Sequence, residues 1–191
     1  MIRAFLDTTV LYASYLKRWA HQYGATSASF AILERAQAGE VEVIVSDVVV
    51  AEFVDNLLDD RENTADIDEF FDMISPVLDP ESRAKARLGR DYAVDAAYAE
   101  DALNKLGNLL ASLCPGYEDQ IKAHPEVNSL RGHRDDEDLH VMVCAIDEQV
   151  DCLLTSNTKH FPPRIGEIWV VEPGAFLAEL EKVAAEVSEQ D

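Results

Sequence analysis

The chain has 191 residues, 48% of them apolar, which is enough for one full hydrophobic core and too much for wholesale disorder. Acidic residues outnumber basic ones 37 to 16, and the formal net charge is −21. Such a field repels nucleic acid at long range and argues against a simple nucleic-acid-binding module, while leaving room for an enzyme that draws its substrate in locally.

The first apolar segment, Ile2 to Leu6, reads as a short buried strand. Asp7 follows it and interrupts any signal-like run at the N-terminus. Leu11, Tyr15, Leu16 and Trp19 recur at three- and four-residue spacing and predict a helix over 10–21. A second helix is predicted over 27–37, with Phe30, Leu33 and Ala36 on one face and Gly39 past its end. Val41 to Val45 is brief and β-branched, a second strand, after which Ser46 or Asp47 can cap a helix to about residue 58. A short helix is expected over 66–74, stopped by Pro76, with Pro76-Val77-Leu78 as a marginal edge strand. Within 80–134 the pattern is least regular. Residues 92–113 read as a helix ended by Cys114-Pro115-Gly116, 117–130 are weakly periodic, and Gly132 marks a turn. The next helix is predicted from Asp136–Asp138 to Glu148, followed by strands over 150–155 and 168–171 and a last helix over 175–187. Strands alternating with helices imply an α/β fold with a parallel sheet covered on both faces.

No apolar stretch reaches the ~18–20 residues that a membrane span requires. Cys114, Cys144 and Cys152 form no Cys-x-x-Cys pair, and the last two fall in apolar runs as small hydrophobes. A cytoplasmic protein without disulfides is the expectation. Few lysines beside abundant Asp, Glu and Ala would also suit a high-salt cytoplasm.

Four positions stand where a strand runs out or a helix begins: Asp7, Glu52, Asp138 and Asn157. In an open parallel sheet, ligands bind beyond the carboxyl ends of the strands. Carboxylates gathered there, without paired cysteines or a phosphate-cradling glycine loop, suit a hard divalent cation. Phosphodiester hydrolysis needs an activated water and charge compensation on the phosphoryl oxygens, and Mg²⁺ or Mn²⁺ can supply both.

The pieces carrying these positions resemble the PIN-domain ribonucleases, including toxins of the VapC type. They are Leu6-Asp7-Thr8-Thr9-Val10-Leu11-Tyr12, Ser46-Asp47 with Ala51-Glu52, Arg134-Asp135-Asp136-Glu137-Asp138-Leu139-His140-Val141, and Leu153-Leu154-Thr155-Ser156-Asn157-Thr158-Lys159-His160-Phe161-Pro162. Each is weak alone, but the four stand in the family's order across nearly the whole chain. The resemblance implies a single three-layer α/β/α sandwich over 1–191, a parallel sheet ordered 3-2-1-4-5, and a helical elaboration at 80–134. It implies Mg²⁺- or Mn²⁺-dependent cleavage of RNA, with Asp7, Glu52 and Asp138 on the three main acidic positions. Asn157 falls where a fourth acid often stands; an amide there adds no charge. Thr9 stands where the family usually has Asn, so Asp7 would be oriented differently. An antitoxin that pushes an Arg into the acidic cleft, and a homodimer, are partners the resemblance implies.

Several neighbours take plainer readings. Asp135 and Asp136 cap a helix, and Asp151 sits in a surface turn. His140 lies about 200° around a helix from Asp138, so it reads as a packed or surface residue. Thr155 and Ser156 could bind a water or a phosphate oxygen, and Lys159 and His160 follow Asn157 in a loop that could reach a phosphate. Tyr12 and Tyr15 read as packing residues. The rival to a nuclease is a degenerate domain that binds RNA or protein without cutting. A phosphotransfer or receiver-type domain would need a second acid that Asp7-Thr8-Thr9 lacks.

Overall fold

Strand β1 (Ile2–Leu6) lies inside a five-stranded sheet, and its Ala4, Phe5 and Leu6 are fully buried. In this computed structural model the described residues are 1–20, 28–59, 72, 75–78, 80, 83, 117–132 and 138–188. The helices expected over 66–74 and 92–113 lie largely or wholly outside them, as does most of the elaboration at 80–134. Strand β2 (Val41–Ile44) pairs parallel with β1 on one side, in the register Phe5↔Ile44. Strand β3 (Cys152–Leu154) pairs parallel on the other, in the register Leu6↔Leu154. Beyond β3 come β5 (Ile168–Val171), parallel, and the two-residue β4 (Arg164–Ile165), antiparallel at the edge. Outside β2 a parallel bridge joins Val43 to Leu78. Ser75–Val77 form a 3-10 turn where an edge strand over 76–78 was expected, so the third strand of the 3-2-1-4-5 order is reduced to the single bridge at Leu78, while the rest of that order is present. β4 is an addition the sequence reading did not contain. It closes on β5 through Gly166-Glu167, with Gly166 at φ +58°, the conformation a tight hairpin asks of its first central residue.

Helices flank this sheet. Helix α1 (Thr8–Ala20) packs on α2 (Ala28–Gln37) and on α3 (Asp47–Asp59), and α6 (Pro173–Ser188) packs on α2. The short α4 (Pro125–Asn128) follows a helical stretch at 117–123 and packs on α5 (Leu139–Asp147), which also lies against β3. Residues Leu139 to Ala145 of α5 are all buried, so this helix is enclosed on every side. Ser46 caps α3: its hydroxyl accepts the Val49 N–H at 3.1 Å. No described helix is long and apolar enough to cross a membrane.

Arg3 fastens the amino ends of the strands, opposite the end where the site lies. Its Nε donates to Glu42 Oε2 at 2.9 Å, directly across the β1–β2 ladder, and its guanidinium reaches the Glu148 carbonyl at the end of α5. Its backbone N–H donates to Asp151 Oδ2 at 2.8 Å, so this surface acid braces the β1–β3 edge.

Two helices end in the same paired bonds. After α2, Glu40 N–H donates to Arg35 O and Gly39 N–H to Ala36 O, with Gly39 at φ +77°. After α5, Val150 N–H donates to Ala145 O and Gln149 N–H to Ile146 O, but the left-handed position is filled by Gln149 at φ 51°. A side chain in that conformation costs ~1–2 kcal/mol, part of which glycine would give back as chain entropy on unfolding. Gln149→Gly should therefore raise the unfolding free energy by about 0.5–1 kcal/mol and Tm by ~1–4 °C, read by thermal melting. A lower Tm would mean that the Gln149 side chain carries a contact worth more than the strain.

Candidate functional site

The register Leu6↔Leu154 puts the next residue of each strand, Asp7 and Thr155, side by side at the carboxyl edge. The ladder carries on one step further, with Asp7 N–H on Leu154 O at 3.0 Å and Thr155 N–H on Val171 O at 3.2 Å. The Asp7 carbonyl then accepts from Val10 and Leu11 and starts α1. Asp7 is only 4% exposed. Its Oδ1 accepts the Thr8 N–H at 2.8 Å, and its Oδ2 accepts both the Thr9 and the Thr155 hydroxyls at 2.7 Å.

Those hydroxyls also tie the neighbouring loops. Thr9 Oγ1 accepts the Ser156 N–H at 3.1 Å, and Thr155 Oγ1 accepts the Asn157 N–H at 3.0 Å. Thr155 and Ser156 thus hold Asp7 and Thr9 directly, where the sequence had left them open to a water or a phosphate. Thr9 does orient Asp7, from the place where an amide was expected.

Glu52, in the second turn of α3, turns back to α1 and α5. Its Oε2 accepts the Thr8 hydroxyl at 2.6 Å, and its Oε1 lies 3.1 Å from His140 Nε2. His140 is packed, as expected, and does not share a face with Asp138. It meets Glu52 instead, because Asp138 is the N-cap residue while His140 points from the first turn of α5 across to α3. Asp138 makes no capping bond; its Oδ2 lies 2.9 Å from His160 Nδ1. The Asn157 amide nitrogen is placed 2.9 Å from the same Nδ1. One nitrogen cannot donate to Asp138 and accept from Asn157 together. A proton on Nδ1 with the amide turned to present its oxygen satisfies both.

The four predicted positions therefore fall into two groups in one network. Asp7 and Glu52 meet across Thr8, and Asp138 and Asn157 meet at His160; Thr9 and Thr155 link the groups. Among the described residues no cluster of three or more His, Cys, Asp or Glu is disposed to hold a metal ion, so the three acids share an edge without forming a ready ligand set. Asp135 and Asp136 lie outside the described residues. Thr8 and His140 are the residues sequence reasoning did not place in the site, and His160, expected near a phosphate, meets Asp138 instead. Their partners are 44, 88 and 22 positions away, and no local pattern marks them.

Beside this network, Tyr117 donates its hydroxyl to Asp47 Oδ1 at the start of α3 and sets its ring 5.8 Å from that of His140. Burial, the nearby Cys144 and the bond to Asp47 all push the Tyr117 hydroxyl far above its ordinary pKa, so it stays a donor. Burial, with Asp151 nearby, pushes the Cys152 thiol up to about 12, in keeping with a packed, inert cysteine.

Comparison with protein-family models matches residues 3–159 to the PIN domain. The chain belongs to the PIN-domain family. Comparisons with curated proteins and with solved structures found no match. PIN domains are typically nucleases, bind RNA and usually use divalent metals such as Mg²⁺. The oxygen donors of Asp7, Glu52 and Asp138 are of the type such an ion takes, although they are not gathered into one cluster. Asp7 gives the sharper test: a nearly buried carboxylate whose donors among the described residues are all neutral. A buried charge without a countercharge costs several kcal/mol, and a cation at the edge would offset it.

Thr155 is fully buried and its hydroxyl serves two partners. Thr155→Val keeps the shape and removes both bonds, which should lower the unfolding free energy by about 1.5–3 kcal/mol in urea titration. Thr155→Ser should cost less than half of that. Equal losses for the two would mean that the methyl group, and not the hydroxyl, is what the site needs.

Proposed function

We propose that the protein is a metal-dependent endoribonuclease that hydrolyses RNA phosphodiester bonds, acting as the toxin of a toxin–antitoxin pair. The observation that carries the reading is the buried Asp7 carboxylate at the carboxyl edge of the sheet, fixed by three neutral donors and linked through Thr8 to Glu52, through Thr155 to Asn157, and through His160 beyond it to Asp138. Asp7, Glu52 and Asp138 would hold Mg²⁺ or Mn²⁺, with the Asn157 amide oxygen beside them. The ion supplies charge compensation on the phosphoryl oxygens and makes water a competent nucleophile at neutral pH. Thr8, Thr9 and Thr155 fix the carboxylates before substrate arrives, so that little reorganisation remains for the reaction itself. His160, in the loop after Asn157, holds Asp138.

The partners in this reading are an RNA substrate, a small antitoxin and a second copy of the chain. A guanidinium from the antitoxin would suit the clustered carboxylates and inhibit by taking the place of the cation. A second reading, a PIN-like module that binds RNA or protein without cutting, is favoured by one feature. Histidines rather than open space meet Glu52 and Asp138, and the acids are not drawn into one cluster.

Purified protein incubated with a mixed RNA pool in Mn²⁺, Mg²⁺ or EDTA, alongside Asp7→Asn, separates the two. The nuclease reading expects cutting that EDTA abolishes and that Asp7→Asn lowers about 100-fold or more, since a ligand charge at such a site is worth several kcal/mol. Cutting that survives both EDTA and Asp7→Asn would come from a contaminant. No cutting in any metal, with no Mn²⁺ bound in a calorimeter, would favour the binding module.

A further inference from the structure

His140 is the one polar side chain in the buried run Leu139 to Ala145, and its imidazole is poorly served there. It is 7% exposed, Nε2 lies 3.1 Å from Glu52 Oε1, and Nδ1 is buried with no hydrogen-bond partner among the described residues. A buried nitrogen left bare loses its hydration without return, so a histidine here is a poor choice for stability alone. Val141, Met142 and Val143 beside it are fully or almost fully buried, and an apolar residue would suit position 140 equally well. What the imidazole adds is the bond to Glu52.

That bond is not needed to satisfy the carboxylate. The Glu52 side chain is 33% exposed and water could serve Oε1. The imidazole fixes orientation instead. With a proton on Nε2, it donates to Oε1 while the Thr8 hydroxyl donates to Oε2 at 2.6 Å, one donor on each oxygen. The carboxylate plane is then set, and each oxygen keeps a lone-pair direction open. The tilted Tyr117 ring, 5.8 Å from the imidazole, and the bond from Tyr117 to Asp47 hold the histidine and the start of α3 in one frame.

We propose that His140 is a positioning residue that holds the Glu52 carboxylate in the orientation a divalent cation requires. The inference rests on the metal-dependent reading above. Groups that orient a ligand in this way typically change metal affinity by ~10–100-fold when removed.

The test uses the full chain with His140→Leu, His140→Asn and His140→Gln. Mn²⁺ binding is measured by titration calorimetry, and thermal unfolding is followed in EDTA. Leu has no donor and Asn is too short to reach Oε1, so both should weaken Mn²⁺ binding about 10- to 100-fold. His140→Gln, whose amide N–H can reach, should stay within a few-fold of the parent. His140→Leu should melt in EDTA at the parent temperature or above, because it removes the bare Nδ1. Having both non-donor variants keeps the test open if one of them does not fold. Unchanged Mn²⁺ affinity in a folded non-donor variant overturns the inference while leaving the nuclease reading intact, and equal weakening in His140→Gln reduces His140 to packing. A parent protein that binds no Mn²⁺ overturns both.

Discussion

The parallel pairing of β1 with β3, in the register Leu6↔Leu154, decides where the chemistry of this chain can stand. It brings together two segments nearly 150 positions apart and ends both strands at one level. Asp7 and Thr155 become neighbours before any side chain is considered. A slip by one residue would turn every side chain of β3 to the opposite face and take the Thr155 hydroxyl from Asp7. Consecutive residues Ala4, Phe5 and Leu6, and Leu153 and Leu154, are buried on both faces, so the slip is opposed by the polar strand ends, where it would break Arg3 N–H from Asp151 and Thr155 from Asp7. Strand ends and site therefore depend on the same register.

From that point the site is built largely with hydroxyls. Thr8 serves Glu52, while Thr9 and Thr155 serve Asp7. A threonine donates one proton and still accepts another bond, so Thr9 and Thr155 also take the backbone N–H groups of Ser156 and Asn157. Asp7 and Glu52 are fixed in this way by hydroxyl donors.

Much of this could be read from the chain. Ile2 to Leu6, Val41 to Val45 and Ile168 to Val171 are short apolar runs with polar residues at their ends, so strand identity and the positions just beyond were visible in the local pattern. Asp7, Glu52, Asp138 and Asn157 were named for that reason. The two-residue β4 is too short to carry a period and escaped notice. His140 escaped because rotation about one helix compares residues on that helix only, whereas its partner is on α3. Asp138, expected in the first helical turn, has helical backbone at the N-cap of α5 and turns its side chain to His160 in place of capping. Local pattern names the element that carries a residue, and only packing between elements names what that residue touches.

The charge of the whole molecule bears on the proposed chemistry in the same physical terms. A net charge of −21 opposes the approach of RNA, and the cations described in the fold do little to relieve it. Arg3, Arg35 and Arg131 pair with acids, Arg83 serves backbone carbonyls, and Arg164 lies 3.9 Å over the Trp169 ring. Lys122 and Lys182 pair with glutamates on their own helices. Most of these contacts are exposed and weak, but each keeps a positive group beside a negative one and evens out the local field. A cation gathered by the acidic edge would add positive charge at the place where a phosphate comes in. A divalent ion reverses the sign of the field within a few ångströms, while the rest of the surface is screened beyond ~8 Å at physiological salt. Under the proposed reading, the acidity that argues against a passive nucleic-acid-binding surface is compatible with an enzyme whose affinity for phosphate is switched on by its metal.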